Sequence, residues 1–246
     1  YSNIKNINKI FLIINYNMAI KLKNQNEIFE IFGINEVYAN KPINRMKIKP
    51  KVELKSKKLI NLKNKIEAIQ DCELKKSANN LVFNDGDENS PIMLVGEGPG
   101  QKEDELGKPF VGEAGSLLNK MLAAINLDRK KIYITNVVNY RPPNNRKPEP
   151  QEISRYAEFL REHISIIDPK ILILMGSTAM EAFFGAKIKI TKSRGEWREL
   201  IVNKKMIKTM ITFHPAYLLR QPDQKKFSWK DLKIIRKELD KLNLNI

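Results

Sequence analysis

Cysteine is almost missing from this chain: Cys72 stands alone among 246 residues. A single thiol excludes an intramolecular disulfide framework and any metal site built mainly from thiolates, and it predicts a reducing, cytoplasmic address. Long apolar runs are missing too. The longest near the N-terminus, from Ile10 to Ile14, falls far short of the ~20 apolar residues of a membrane span and of the ~7 to 15 of a signal-peptide core. Histidine occurs twice, at His163 and His214, so chemistry that needs an imidazole has few places to be. Acid is short relative to base, with Asp plus Glu at 28 against Lys plus Arg at 44 and a formal charge of +16. That balance favours an anionic partner, nucleic acid first among them. A second source of the excess is compositional, because only 10 of the 44 basic residues are arginine and the chain ends are crowded with Lys, Asn and Ile.

What the chain does have is enough apolar residue, 42%, beside 29% charged, for a soluble globular protein of one large or two small domains. The first methionine is Met18, followed by Ala19, which predicts that residues 1–17 are upstream sequence the cell does not translate. Ile28, Phe29, Ile31, Phe32 and Ile34 recur at helical spacing and predict a short amphipathic helix over 24–37. Residues 40–62 turn to Lys, Pro, Asn and Ser, the composition of a basic tether. A helix is expected over 59–74, and the division is therefore an N-terminal extension, 1–58, and a folded domain, 59–246.

Inside that domain short β-rich runs at 92–95, 132–135, 171–174 and 206–213 alternate with helical patterns at 114–125, 152–167, 177–184 and 229–242. Alternation of this kind predicts an α/β fold with a mostly parallel sheet covered on both faces, and ligands at the carboxyl ends of the strands. Four motifs sit at such ends. Gly96-Glu97-Gly98-Pro99-Gly100, followed by Glu103 and Asp104, lets the backbone turn tightly and brings carboxylates that could position a water. It is not a dinucleotide fingerprint, since Gln101 stands where a third glycine is needed, and no Gly-Lys-Ser/Thr follows for a phosphate loop. Gly107-Lys108-Pro109-Phe110-Val111-Gly112 offers the Phe110 ring either to the core or to a flat partner. Thr135-Asn136 leads to Tyr140-Arg141-Pro142-Pro143-Asn144-Asn145-Arg146, where an amide matches a pyrimidine edge and the arginines match phosphates. His214-Pro215-Ala216-Tyr217-Leu218-Leu219-Arg220 puts an imidazole at a strand end, whereas His163 reads as a plain helix residue.

Together these motifs, in this order over about residues 60 to 240, resemble the family 4 uracil-DNA glycosylases. Phe32-Gly33-Ile34-Asn35-Glu36 leading to Pro42-Ile43-Asn44-Arg45 is similar to the N-terminal arm of alphaproteobacterial members. The resemblance implies a three-layer α/β/α domain around a short, mostly parallel central sheet, and hydrolysis of the bond between uracil and deoxyribose in DNA to start base-excision repair. It implies Phe110 stacking on a flipped uracil with Gly98 beside it, Asn136 reading the base edge, and His214 stabilising the leaving anion. Glu97 and Glu103 hold the attacking water or line the pocket, with Glu103 alternatively crowding the position of a thymine methyl. Arg141, Asn145, Arg146 and Arg220 contact the DNA. A nucleic-acid-binding relative without turnover is the alternative reading. The family pattern also carries a [4Fe-4S] cluster on four cysteines; here only Cys72 is a cysteine, the other positions falling at Ile69, Tyr140 and Tyr156. The sequence therefore predicts a monomeric enzyme without metal or other cofactor.

Overall fold

Four apolar runs become the parallel centre of one sheet: three are buried along their whole length and the fourth over its last four residues, leaving no face for water there. The computed structural model describes residues 54–244. In chain order the strands are β1 (Asp85–Gly86), β2 (Ile92–Gly96), β3 (Tyr133–Asn136), β4 (Ile171–Met175), β5 (Trp197–Val202) and β6 (Lys205–Thr212). They lie in the order β1-β3-β2-β4-β6-β5. The pairs β3–β2, β2–β4 and β4–β6 are parallel, and the edge strands β1 and β5 are antiparallel to their neighbours. Parallel pairing sets the carboxyl ends level: Gly96 is opposite Asn136, and Met175 is opposite Thr212.

Alternate residues of a strand point to opposite faces, and the two faces fill two cores. Met93, Val95, Tyr133, Leu172 and Leu174 join one; Ile92, Leu94, Ile134, Ile171 and Ile173 join the other. Helices α1 (Lys55–Glu67), α2 (Glu73–Ser77), α5 (Pro150–Ile167) and α6 (Ser177–Phe184) contribute to the first core. Helix α4 (Glu113–Ala123) and the last helix, α9 (Lys225–Lys241), contribute to the second. The short α3 (Gln101–Leu106), α7 (Ile190–Ser193) and α8 (Pro215–Arg220) complete the set among the described residues. The result is the mostly parallel sheet covered on both faces that the alternation predicts, in the three-layer α/β/α arrangement that the family resemblance implies.

The differences are local. The helix expected over 59–74 ends at Glu67 with Ala68 as its cap, and the chain turns through Asp71, φ 49°, before it restarts as α2. Strand β5 was not expected. Its charges, Arg198 and Glu199, interrupt the apolar pattern, and it is paired through a tight turn in which Asn203 and Lys204 both have positive φ, as two-residue hairpins require. The amphipathic pattern over 24–37, the basic tether and the arm-like motif at 32–45 lie outside the described residues. Among the described residues no helix is long and apolar enough to cross a membrane.

Three of the four cysteine-equivalent positions pack in one place. Cys72, Tyr140 and Tyr156 are buried in the first core with Ile69 against it, and the Cys72 sulfur lies 3.5 Å from the Tyr156 hydroxyl. Burial and the Cys72 contact push the Tyr156 phenol up, so it stays protonated. Removing a buried aromatic costs ~3 to 5 kcal/mol. Tyr156→Ala is therefore expected to lose that much stability in chemical denaturation, and Tyr156→Phe, which keeps the ring and loses one weak hydrogen bond, only about 1 kcal/mol.

Candidate active site

The four parallel strand ends open into one cavity of about 460 Å³. After β2 the chain turns through Glu97 to Gly100; after β3 it runs into the arginine loop; after β4 come Gly176 and Ser177; after β6 come Phe213 and His214, and each of these segments lines the cavity. Hydrogen bonds from Val137 N to the Gly96 carbonyl (3.0 Å) and from Gly176 N to the Thr212 carbonyl (2.9 Å) carry the sheet register past the last strand residues.

Asn136 is buried, and its Oδ1 has no hydrogen-bond partner within the protein; the same is true of His214 Nε2. An unpaired buried polar atom costs ~1 to 3 kcal/mol, and two facing one cavity mark a place built for a polar ligand. The imidazole's other nitrogen is committed: Nδ1 accepts a hydrogen bond from Ala216 N at 3.2 Å, as the N-cap of α8. An Nδ1 that accepts leaves the ring proton on Nε2, aimed as a donor. Burial, helped by the Arg220 charge, pulls His214 down to about 4, so the ring is neutral at physiological pH.

The Phe110 ring completes the slot, stacked beside His214 with centroids 5.3 Å apart and planes inclined by 29°. Its backbone has φ 54°, a strained value for a bulky residue, and the loop is held from both sides. Glu103 Oε1 accepts from Val111 N and Gly112 N, both at 2.8 Å. Arg129 donates to the carbonyls of Phe110 (2.8 Å) and Pro109 (2.7 Å) and is itself fixed by Asp85 at 2.9 Å. A Cβ on Gly96 would collide with the Phe110 ring and the Asn136 amide, and one on Gly115 with the Phe110 carbonyl, so both positions require glycine.

The expected site residues are thus mostly gathered. Glu97, Gly98, Glu103, Phe110, Asn136, Asn145, Arg146, His214 and Arg220 all line the cavity. Glu97 Oε2 accepts from the Thr178 hydroxyl at 2.5 Å. The carboxylates at 103 and 104 are not a water-holding pair: Asp104 is buried away from the cavity, accepting from the backbone of Asn79 (2.9 Å) and Asn80 (3.0 Å). Arg141 does not line the cavity and donates to Asn145 Oδ1 at 2.8 Å. Arg146 lines it but forms a two-pronged pair with Glu152, 2.8 and 2.6 Å. His163 is more than a plain helix residue: it is buried, stacked on Phe83, with Nε2 2.5 Å from the Tyr133 hydroxyl, and burial pulls it down to about 3. Sequence reasoning missed Thr178, Gly176 and Arg129. Gly176-Ser177 following an apolar run was the available signal for the first two, whereas Arg129 sits in Asp-Arg-Lys-Lys and reads as a solvated turn.

The strand ends therefore build a slot for one flat ring with a polar edge, opening among cationic side chains. Residues 83–236 match the family described as the Uracil DNA glycosylase superfamily. The chain is 45% identical to the type-4 uracil-DNA glycosylase of Thermotoga maritima over 150 residues, 61% of this chain and 77% of that protein. It is 39% identical to that of Sulfurisphaera tokodaii over 183 residues, 72% of this chain and 83% of that protein. With that of Archaeoglobus fulgidus it shares 37% over 174 residues, 69% and 87% of the two chains. The chain belongs to the uracil-DNA glycosylase superfamily and, within it, to the type-4 enzymes.

That membership corrects one expectation. A protein without any cofactor was expected from the cysteine count, but the relatives are type-4 enzymes, the family whose pattern carries a [4Fe-4S] cluster, and the expectation does not stand against them. The donor set itself does not fit such a cluster, which takes four thiolates: this chain offers one, already in contact with Tyr156.

The two histidines give a pH test. Unfolded, each titrates near ~6.5; folded, they are held down to about 4 and about 3. The unfolded chain therefore binds more protons as pH falls through ~6.5, and stability is full above that value and lost below it, by up to ~2.7 kcal/mol per pH unit for two groups. NMR titration of the imidazole protons is expected to show no midpoint between pH 6 and 7, and denaturation midpoints are expected to fall steadily from pH 6.5 to 4.5.

Proposed function

We infer that the protein hydrolyses the N-glycosidic bond of uracil in DNA, releasing the base and leaving an abasic site that starts base-excision repair. The observation that carries this reading is the pair of buried atoms, Asn136 Oδ1 and His214 Nε2, facing one cavity beside the Phe110 ring. A uracil stacked in a duplex must be flipped out before its bond to the sugar can be reached. In the slot, Phe110 takes its face. The Asn136 amide accepts from the N3–H and donates to O4; cytosine, with an acceptor at N3 and an amine at C4, presents the opposite pattern and leaves both unpaired.

Cleavage of the N1–C1′ bond sends its electron pair to the base, and the charge of the uracil anion spreads to O2. The neutral His214 ring donates its Nε2–H there without giving up the proton, as an oxyanion donor does. The sugar, left cationic at C1′, is attacked by water, whose proton must be accepted as the bond forms. Each carboxylate has one engaged oxygen; Glu97 takes this role because it accepts a single hydrogen bond, from Thr178, whereas Glu103 Oε1 accepts two from the loop that carries Phe110. Glu103 then serves as the brace of the Phe110 loop. No lysine lines the cavity among the described residues, so there is no amine to form a covalent adduct with the sugar, which favours a monofunctional glycosylase. In this reading residues 59–246 are the catalytic domain and 1–58 a basic extension, in a monomer working on cytoplasmic DNA. Arg220, Arg146 and Asn145 at the cavity mouth meet the DNA strand, and Arg141 positions Asn145.

Incubation with an oligonucleotide containing one uracil is expected to yield free uracil and an alkali-labile site. His214→Ala is expected to slow single-turnover release by about 10²- to 10³-fold, the cost of one lost oxyanion donor, with DNA affinity nearly unchanged. Uracil release by His214→Ala at the parent rate would sink this mechanism, and no release by the parent protein would sink the function.

A further inference from the structure

The cations nearest the cavity are not all at liberty. Arg146 is occupied by Glu152 and Arg141 by Asn145. Among the described residues Arg220 at the cavity has no acidic partner, and a larger set of cations without one lies on α9. Lys226, Lys230, Lys233 and Lys237 follow one another at intervals of four, three and four residues, which on a helix places them in one narrow stripe. All four are exposed. Each acid of that helix is matched by another cation: Asp231 by Arg194, Glu238 by Lys208 and Asp240 by Arg236. Among the described residues none of the four lysines has an acidic partner, and Trp229, 44% exposed, lies beside them with the Lys233 ammonium 5.8 Å from its ring.

The stripe begins beside the site, where Thr212 donates to Asp231, and runs from there toward the opposite end of the sheet, where Glu238 pairs with Lys208, opposite Ile171. Lys226 and Lys230 reach over the Phe227 ring, at 5.4 and 5.8 Å; Arg194 lies between Phe227 and Phe213, 5.4 Å from each; and Phe213 lines the cavity. Arg220, at the mouth, is joined to α9 by a single turn, Pro222–Gln224. From Lys226 to Lys237 the helix rises roughly 16 Å at ~1.5 Å per residue, and phosphates recur along each DNA strand about every 3.4 Å of axis.

We propose that this lysine stripe of α9 is the main electrostatic anchor for the DNA backbone flanking the flipped nucleotide, with Trp229 packing against the sugar-phosphate chain beside it. The inference rests on the glycosylase reading for its partner. It predicts binding that is independent of sequence and of uracil, because lysines meeting phosphates carry no base information.

Two variants of the full chain with equal loss of charge test it. One changes Lys226, Lys230, Lys233 and Lys237 to Gln. The other changes Lys58, Lys63, Lys65 and Lys76 to Gln, four exposed lysines of α1 and α2 on the opposite face of the sheet. Binding to a duplex is measured by fluorescence anisotropy across a salt series, with and without one uracil, after thermal midpoints have shown that both variants fold. The α9 variant is expected to bind both duplexes at least tenfold more weakly at physiological salt. Its log–log salt slope should be shallower by ~0.9 for each phosphate no longer neutralised, hence by roughly 2 to 4. The α1/α2 variant should keep the parent slope. Equal weakening in both variants would mean that net charge alone is at work, and a parent-like α9 variant would mean a solvated face or an acidic protein partner; either result overturns the proposal. Should the parent release no uracil, the catalytic reading fails while this salt comparison still decides where DNA binds.

Discussion

The short segment from Pro109 to Gly112 is held in a conformation it would not keep alone, and the site depends on that. Its amide donors go to one carboxylate, Glu103, and its carbonyl acceptors to one guanidinium, Arg129. A free chain would hydrogen-bond these groups to water and release Phe110 from positive φ, a relaxation of order 1 to 3 kcal/mol. Here the loop is pinned between a helix on one side and the Asp85 edge of the sheet on the other, so the ring is set beside His214 before any base arrives. Gly96 and Gly115 matter for the same reason: each removes the one atom that would push the ring out of line.

The parallel sheet supplies the rest of the geometry. Because β2, β3, β4 and β6 end level, a side chain at or just past the end of any of them falls within reach of the others, and an asparagine and a histidine nearly 80 residues apart in sequence come to line one cavity. Binding and chemistry are divided accordingly. Strand ends carry the groups assigned in the proposed mechanism to reading and polarising the base, while helices and turns outside the sheet carry charge.

The sequence made the sheet legible because four continuous apolar runs, each bounded by turn residues, leave little else for a soluble chain to build. Asn136 and His214 were legible because each is a polar residue placed directly after such a run. Glu103 was seen but its role was not, since nothing in the spacing tells a carboxylate that holds water from one that holds two amides. Arg129 was hidden by its neighbours, Asp128, Lys130 and Lys131, which read as a solvated turn until the fold brings Pro109 and Phe110 against it. The cofactor went wrong for a different reason: counting thiols tests one ligand set, and family membership rests on the whole domain.

In the proposed mechanism, two of the buried atoms without a protein partner, Asn136 Oδ1 and His214 Nε2, act on the product as well as on the substrate. There they would be satisfied by features of the base itself, its N3–H and O2, and these survive when the sugar has gone. The slot therefore keeps its hold on uracil after the bond is cut, more firmly while the base is still an anion. Turnover would then wait on the departure of the free base as well as on the chemistry, and uracil set free in solution would compete with uracil in DNA for the same place.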